Sequence, residues 1–185
     1  LGFFYELLDV SFRGGVSYES MSRGKKSLIN DTFRIISLIF SYKKGASSIK
    51  SFTSKNGRRV YEGKIYERLG ELYMEQERFE DAAKTYDAYV ELYPNDRSAP
   101  QFLLNVIDIY TKGGYAKSLT RAKGDFVNRY GIGKPYWVNQ DIELLEELVP
   151  HIKKNLIELS KHYHAKGQKT KKASNYKIAA YWYRE

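Results

Sequence analysis

The sequence predicts an all-α chain built from helix hairpins, and three observations carry that prediction. Apolar residues recur three and four apart over most of the 185 residues, the spacing that places them on one face of a helix. The 42% hydrophobic content supports a folded core, and the 15% aromatic content argues against a disordered chain. Only 4 prolines and 14 glycines punctuate the chain, too few for turn-dense all-β structure. The absence of cysteine excludes a disulfide framework and any thiolate metal site.

The clearest unit runs from Gly63 to Asp96. Tyr66, Leu69 and Tyr73 form one helical stripe, and a break follows at Glu77-Arg78. A second stripe comprises Phe79, Ala82, Ala83, Tyr86, Tyr89 and Val90, and Tyr93-Pro94-Asn95-Asp96 stops it. The spacing Tyr66-x2-Leu69-Gly70-x2-Tyr73, then Ala82-x3-Tyr86, then Pro94, resembles the tetratricopeptide repeat signature. Close helix crossing explains it: Gly70 and Ala82 let two backbones approach while aromatics fill the space between hairpins. Tyr89 departs from the pattern, standing where the family carries a small residue, and predicts a wider gap to the next helix. The resemblance implies a right-handed solenoid of hairpins, non-catalytic and devoted to binding another protein.

Weaker copies flank this unit. Phe33, Ile36, Ser37 and Phe40 align with Tyr66, Leu69, Gly70 and Tyr73, giving a degenerate repeat over 30–62 with a short second helix from Ala46 to Lys55. Leu103, Val106, Ile107 and Tyr110 align likewise, giving a second degenerate repeat over 97–131 that turns at Gly113-Gly114. Residues 1–20 read as an N-terminal cap, with a short helix around Phe3–Val10 and loop from Arg13 to Ser20. Residues 132–155 read as a connector followed by a long helix. That helix starts after Asn139 or Gln140, runs to about Ala165, and is kinked or divided at Pro150. A last hairpin over 156–185 turns across Lys166–Lys172. The chain does not begin with Met and closes on Tyr181-Trp182-Tyr183-Arg184-Glu185, which predicts an excised piece of a longer protein.

The net charge of +9 is banded: residues 1–61 carry +7, 62–96 carry −6, 97–140 carry +5 and 141–185 carry +3. An acidic band between basic ones suits protein docking better than a continuous nucleic-acid surface. No apolar run approaches the ~18 residues needed to span a bilayer. No catalytic, cofactor or metal constellation emerges. His162 and His164 point about 200 degrees apart on a helix, and no zinc or calcium motif accompanies His151. Gly131-Ile132-Gly133-Lys134 lacks phosphate-loop spacing and is followed by Pro135. The basic clusters Lys43-Lys44, Arg58-Arg59 and Lys169-Lys171-Lys172 read as solvated loop charge, or as contacts for an acidic partner, an anionic membrane or nucleic acid.

In tetratricopeptide arrays the first helix of each hairpin lines a binding groove. Carried over, the groove residues are Lys64, Glu67, Glu71 and Met74 in the clear repeat. The following copy gives Gln101, Leu104, Asp108 and Thr111; the preceding copy gives Asp31, Arg34, Leu38 and Ser41. This set does not supply the combination of Lys and Asn that clamps a peptide's terminal carboxylate, so a part-acidic, part-apolar groove for a helix or extended segment is expected. Tyr136 and Trp137 stand out as rigid aromatic contacts, with packing beneath the long helix as the alternative. The stretches Asp31–Ser37 and Tyr66–Tyr73 also resemble repeat proteins of the Gram-negative cell envelope, including the lipoprotein of the outer-membrane β-barrel assembly machinery. That resemblance implies a periplasmic or envelope-associated adaptor. The alternatives are a nucleic-acid-binding helical repeat and the regulatory repeat domain of a larger enzyme.

Overall fold

The computed structural model describes residues 1–185 and contains nine α-helices and no strand. They are α1 (Gly2–Ser11), α2 (Arg23–Ser41), α3 (Ala46–Asn56), α4 (Glu62–Glu75), α5 (Phe79–Leu92), α6 (Ala99–Lys112), α7 (Ala116–Tyr130), α8 (Ile142–Thr170) and α9 (Ala173–Arg184). The chain divides into two compact units, Leu1–Tyr93 and Pro94–Glu185.

In the first unit, α4 pairs with α5 and α2 packs along α4, while α3 lies on α4 and α5 and α1 rests on α2. The apolar stripes meet in a core that includes Leu8, Ile29, Phe33, Ile36, Ile65 and Leu69, each 1% exposed or less. Burying each such side chain contributes about 1.5–3 kcal/mol. The first helix of the preceding copy starts at Arg23, well before the predicted boundary at 30. Ser22 caps it, its hydroxyl accepting from the Lys25 amide. Between α1 and α2 the expected loop contains two short 3-10 turns, Arg13–Gly15 and Tyr18–Ser20.

The α4–α5 hairpin shows why its signature residues recur. A Cβ built on Gly70 would lie 2.5 Å from two ring carbons of Tyr86, so glycine makes room for that ring. The Tyr86 hydroxyl then donates to the Glu67 carbonyl at 3.3 Å. Tyr89, the departure from the pattern, is accommodated inside the same unit. Its ring packs edge-on against Tyr66 and Tyr93, and its hydroxyl sits 3.1 Å from where a Cβ on Gly63 would stand. One small residue therefore compensates one large one.

In the second unit, α7 pairs with α6 and α8, and α8 with α9. Asp141 is the N-cap of α8, its carboxylate accepting from the Leu144 amide at 2.9 Å, so the helix begins at Ile142, one residue later than the predicted start at Asp141. That amide bond and Arg97 hold the Asp141 carboxyl below its ordinary range. The helix continues through Pro150 without division and extends to Thr170, past the predicted end near Ala165. Lys171, with φ 54°, closes it, leaving only Lys171-Lys172 as the turn to α9. No helix is long and apolar enough to cross a membrane.

Candidate functional site

In the first unit, the first helices of two successive hairpins face each other across a cleft of about 210 Å³. α2 contributes Asn30, Asp31, Arg34 and Ser37; α4 contributes Arg68, Glu71, Leu72 and Glu75. Each set repeats at three- and four-residue intervals, so helical geometry alone puts it on one face. The predicted groove residues Asp31, Arg34 and Glu71 meet here. Ser37 is buried and its hydroxyl donates to the Phe33 carbonyl at 2.9 Å, which makes it the floor of the cleft.

The charged walls are held by short-range pairs along each helix. Arg68 donates to Glu71 at 2.7 Å, and Arg34 stands 3.8 Å from Asp31. All four side chains remain at least one-third exposed. Pairs this exposed contribute little to stability, so their charges stay open to a visiting partner. Asn30 is oriented by the Tyr18 hydroxyl, which accepts from its side-chain amide at 2.8 Å. Lys64 and Glu67 form their own pair at 2.5 Å and, with Met74, do not line the cleft.

The second unit's predicted groove residues behave differently. Gln101 and Asp108 are exposed on α6, and Gln101 donates to Asn105 at 3.1 Å. Leu104 lies between them but is only 6% exposed, which corrects its assignment to an open groove. The cause is visible in α6, where Phe102, Leu103, Leu104, Val106, Ile107, Ile109 and Tyr110 are all buried. A helix apolar on nearly every side is a core helix.

Tyr136 and Trp137 are likewise structural parts of a loop and not free contact surface. Tyr136 is 5% exposed, packs edge-on against Tyr130, and donates to the Asp96 and Arg97 carbonyls at 3.3 and 3.4 Å. Burial, with Asp96 nearby, pushes its hydroxyl up to about 12. The Trp137 indole N–H donates to the Tyr130 and Gly131 carbonyls at 3.1 and 2.9 Å. The Tyr130 carbonyl lies in the last turn of α7, where the helix supplies no amide to it, while the Gly131 carbonyl also accepts from the Lys134 amide at 3.1 Å. Trp137 thus helps close the end of α7, while Tyr136 ties the connector to the segment before α6.

No group of three or more His, Cys, Asp or Glu side chains is placed to hold a metal ion. His151, His162 and His164 are all exposed.

The cleft residues that sequence reasoning missed are Asn30, Ser37, Arg68, Leu72 and Glu75. Their signal was present: Ser37 follows Arg34 by three residues, and Arg68 and Glu75 flank Glu71 by three and four.

A family model described as SHNi-TPR matches residues 64–95, which spans nearly all of the α4–α5 hairpin. No curated protein and no solved structure matches the chain. The matched segment covers the hairpin in which Gly70 receives Tyr86 and whose first helix forms one wall of the cleft. Residues 64–95 are therefore a repeat of the tetratricopeptide type, set in an all-α helical-repeat fold.

Proposed function

We propose that this chain is a non-catalytic scaffold whose α2–α4 cleft receives a segment of another protein. Tetratricopeptide-type repeats generally mediate protein–protein interaction. The observation that carries the proposal to this site is the cleft itself. Asp31, Arg34, Arg68, Glu71 and Glu75 line it from the first helices of adjacent hairpins, with Leu72 as its apolar element. Charges of both signs around an apolar patch suit an amphipathic helix or extended segment. Envelope association in a Gram-negative cell is the setting we propose, on the resemblance carried by Asp31–Ser37 and Tyr66–Tyr73.

The test is affinity capture from a Gram-negative envelope extract, comparing wild type with Arg34→Glu/Glu71→Lys. Both side chains are exposed, so the variant keeps its fold, which circular dichroism checks. Selective loss of captured proteins supports the cleft. Equal recovery of every protein by both forms refutes it.

A further inference from the structure

Residues 32–61 contain seven Lys and Arg side chains and not one Asp or Glu. The structure gathers four of these cations on α3 and the turn before it. Lys43, Lys44, Lys50 and Lys55 are exposed and take part in no ion pair. Many other cations of this unit are matched, as in Lys26–Glu19, Arg59–Asp9, Arg78–Asp81 and Lys84–Glu80. Charge left unmatched on a folded surface raises the local concentration of anions around it.

The shape beneath these charges is concave on both sides. One cleft, of about 590 Å³, is lined by Lys43, Lys44 and Lys55 together with Ser47, Ser48 and Ser51. A second, of about 470 Å³, shares Lys43, Lys44 and Ser47 and continues to Arg78 and Lys84 on the α5 side. Asp81 is the only carboxylate in either cleft, and Arg78 holds it at 2.7 Å. Because the two clefts share three residues, they form one track running past the α2–α3 turn. Gly45, with φ 54°, shapes that turn, and a Cβ there would stand 2.8 Å from the Tyr73 hydroxyl.

We propose that this track binds an acidic, Asp/Glu-rich segment of a partner protein, at a surface separate from the α2–α4 cleft. Lysine ammonium groups supply the attraction, and the Ser47 and Ser48 hydroxyls can donate to carboxylates, the Ser51 hydroxyl being engaged by the Ser47 carbonyl. Its concavity fits an extended chain and not a flat bilayer. Its aromatic residues do not offer stacking faces: Phe40 is 1% and Tyr73 3% exposed, and Phe52 is half-buried. Single-stranded nucleic acid needs such faces.

The inference rests on the reading of the chain as a protein-binding scaffold, and the two can fail separately. The experiment titrates a labelled oligo-glutamate peptide against the whole chain by fluorescence anisotropy, with oligo-glutamine of equal length as the uncharged comparison. Oligo-glutamate is expected to bind and oligo-glutamine not to. Raising salt from about 50 to 500 mM is expected to weaken binding steeply. Lys43→Glu/Lys44→Glu is expected to lose about tenfold in affinity. Lys171→Glu/Lys172→Glu, an identical change in net charge at an exposed turn of the other unit, is expected to change it less than twofold. Lys55→Glu provides a second probe at the far end of the track. Equal loss in the Lys43/Lys44 and Lys171/Lys172 variants would reduce the effect to net charge and overturn the proposal. Tighter, Lys43/Lys44-dependent binding of anionic vesicles or single-stranded DNA would overturn it as well. The capture experiment on Arg34 and Glu71 leaves Lys43 and Lys44 intact, so it judges the scaffold reading independently.

Discussion

Replacing Gly70 with alanine puts a methyl group where the Tyr86 ring already sits. In an unobstructed helix interior the change stabilises by about 1 kcal/mol, because alanine loses less backbone freedom on folding. Here the new Cβ would stand 2.5 Å from two Tyr86 ring carbons and 2.9 Å from its hydroxyl. Carbon atoms settle about 3.5–4.0 Å apart, so the ring must move by about 1 Å. Tyr86 is 4% exposed, and forcing extra volume into packed surroundings costs about 1–3 kcal/mol. Displacing the ring also breaks its bond to the Glu67 carbonyl, a further loss of about 1 kcal/mol. The losses exceed the gain, and Gly70→Ala should destabilise by about 1–3 kcal/mol. Urea unfolding followed by far-UV circular dichroism should show a midpoint lower by about 1 M. In a Tyr86→Leu background the obstruction is gone, and the same alanine should stabilise by about 1 kcal/mol. A higher midpoint for Gly70→Ala in the wild-type background would refute the close-approach explanation of this glycine.

Trp137→Phe keeps most of the ring but removes the indole N–H from the Tyr130 and Gly131 carbonyls, so stability should fall by about 1–2 kcal/mol. Partner capture should be unchanged, and a selective loss of partners without loss of stability would return Trp137 to the docking surface. Alkaline pH offers a separate test. Burial raises the hydroxyls of Tyr5, Tyr61, Tyr66 and Tyr130 above the ordinary tyrosine range, and that of Tyr136 to about 12. An acid held protonated in the fold gives stability that is complete below the unfolded value near 10. That stability declines as pH rises above it, because the unfolded chain releases protons first. Between 10 and 12 each such tyrosine should reduce stability by up to about 1.4 kcal/mol per pH unit. Exposed tyrosines such as Tyr42 and Tyr183 ionise without unfolding, and the remaining rise in tyrosinate absorbance should then accompany loss of helicity. Full ionisation near pH 10 with helicity intact would contradict the burial of these groups.

The α4–α5 and α6–α7 hairpins were legible because several independent signals agreed at each boundary. Apolar period, the Pro94 stop and the Gly113-Gly114 turn each marked an end that the structure places within a residue or two. The α8–α9 hairpin was harder for a physical reason. Gly167, amid Lys166, Gln168, Lys169 and Thr170, has the composition of a loop, yet it lies inside α8. A Cβ on Gly167 would stand 3.0 Å from Tyr176 ring atoms, so this glycine admits a facing aromatic, as Gly70 does. The surrounding polar side chains are simply the exposed side of the helix. A glycine that ends a helix and one that lets a neighbour approach look alike until the facing ring is identified.

The same distinction governs the candidate site. Transferring groove positions from hairpin to hairpin assumes that each first helix presents the same face. That assumption brings Asp31, Arg34 and Glu71 together, because α2 and α4 each alternate a buried stripe with an open charged one. It fails at Leu104, because α6 is apolar on nearly every side and has no open stripe at that position. The aromatic pair in the connector fails for a related reason. A Tyr-Trp dipeptide resembles an interface hot spot when only its surface chemistry is considered. Six residues earlier, however, α7 ends at Gly131 with carbonyls that the helix itself cannot satisfy. The Trp137 indole bonds those carbonyls and the Tyr136 phenol bonds the Asp96 and Arg97 carbonyls, so both are drawn into the fold, where an unpaired buried carbonyl costs about 1–3 kcal/mol. Trp137 is therefore first a partner for the end of α7, and its place in the chain, within a turn or two of a helix terminus, is the feature that separates it from a free docking aromatic.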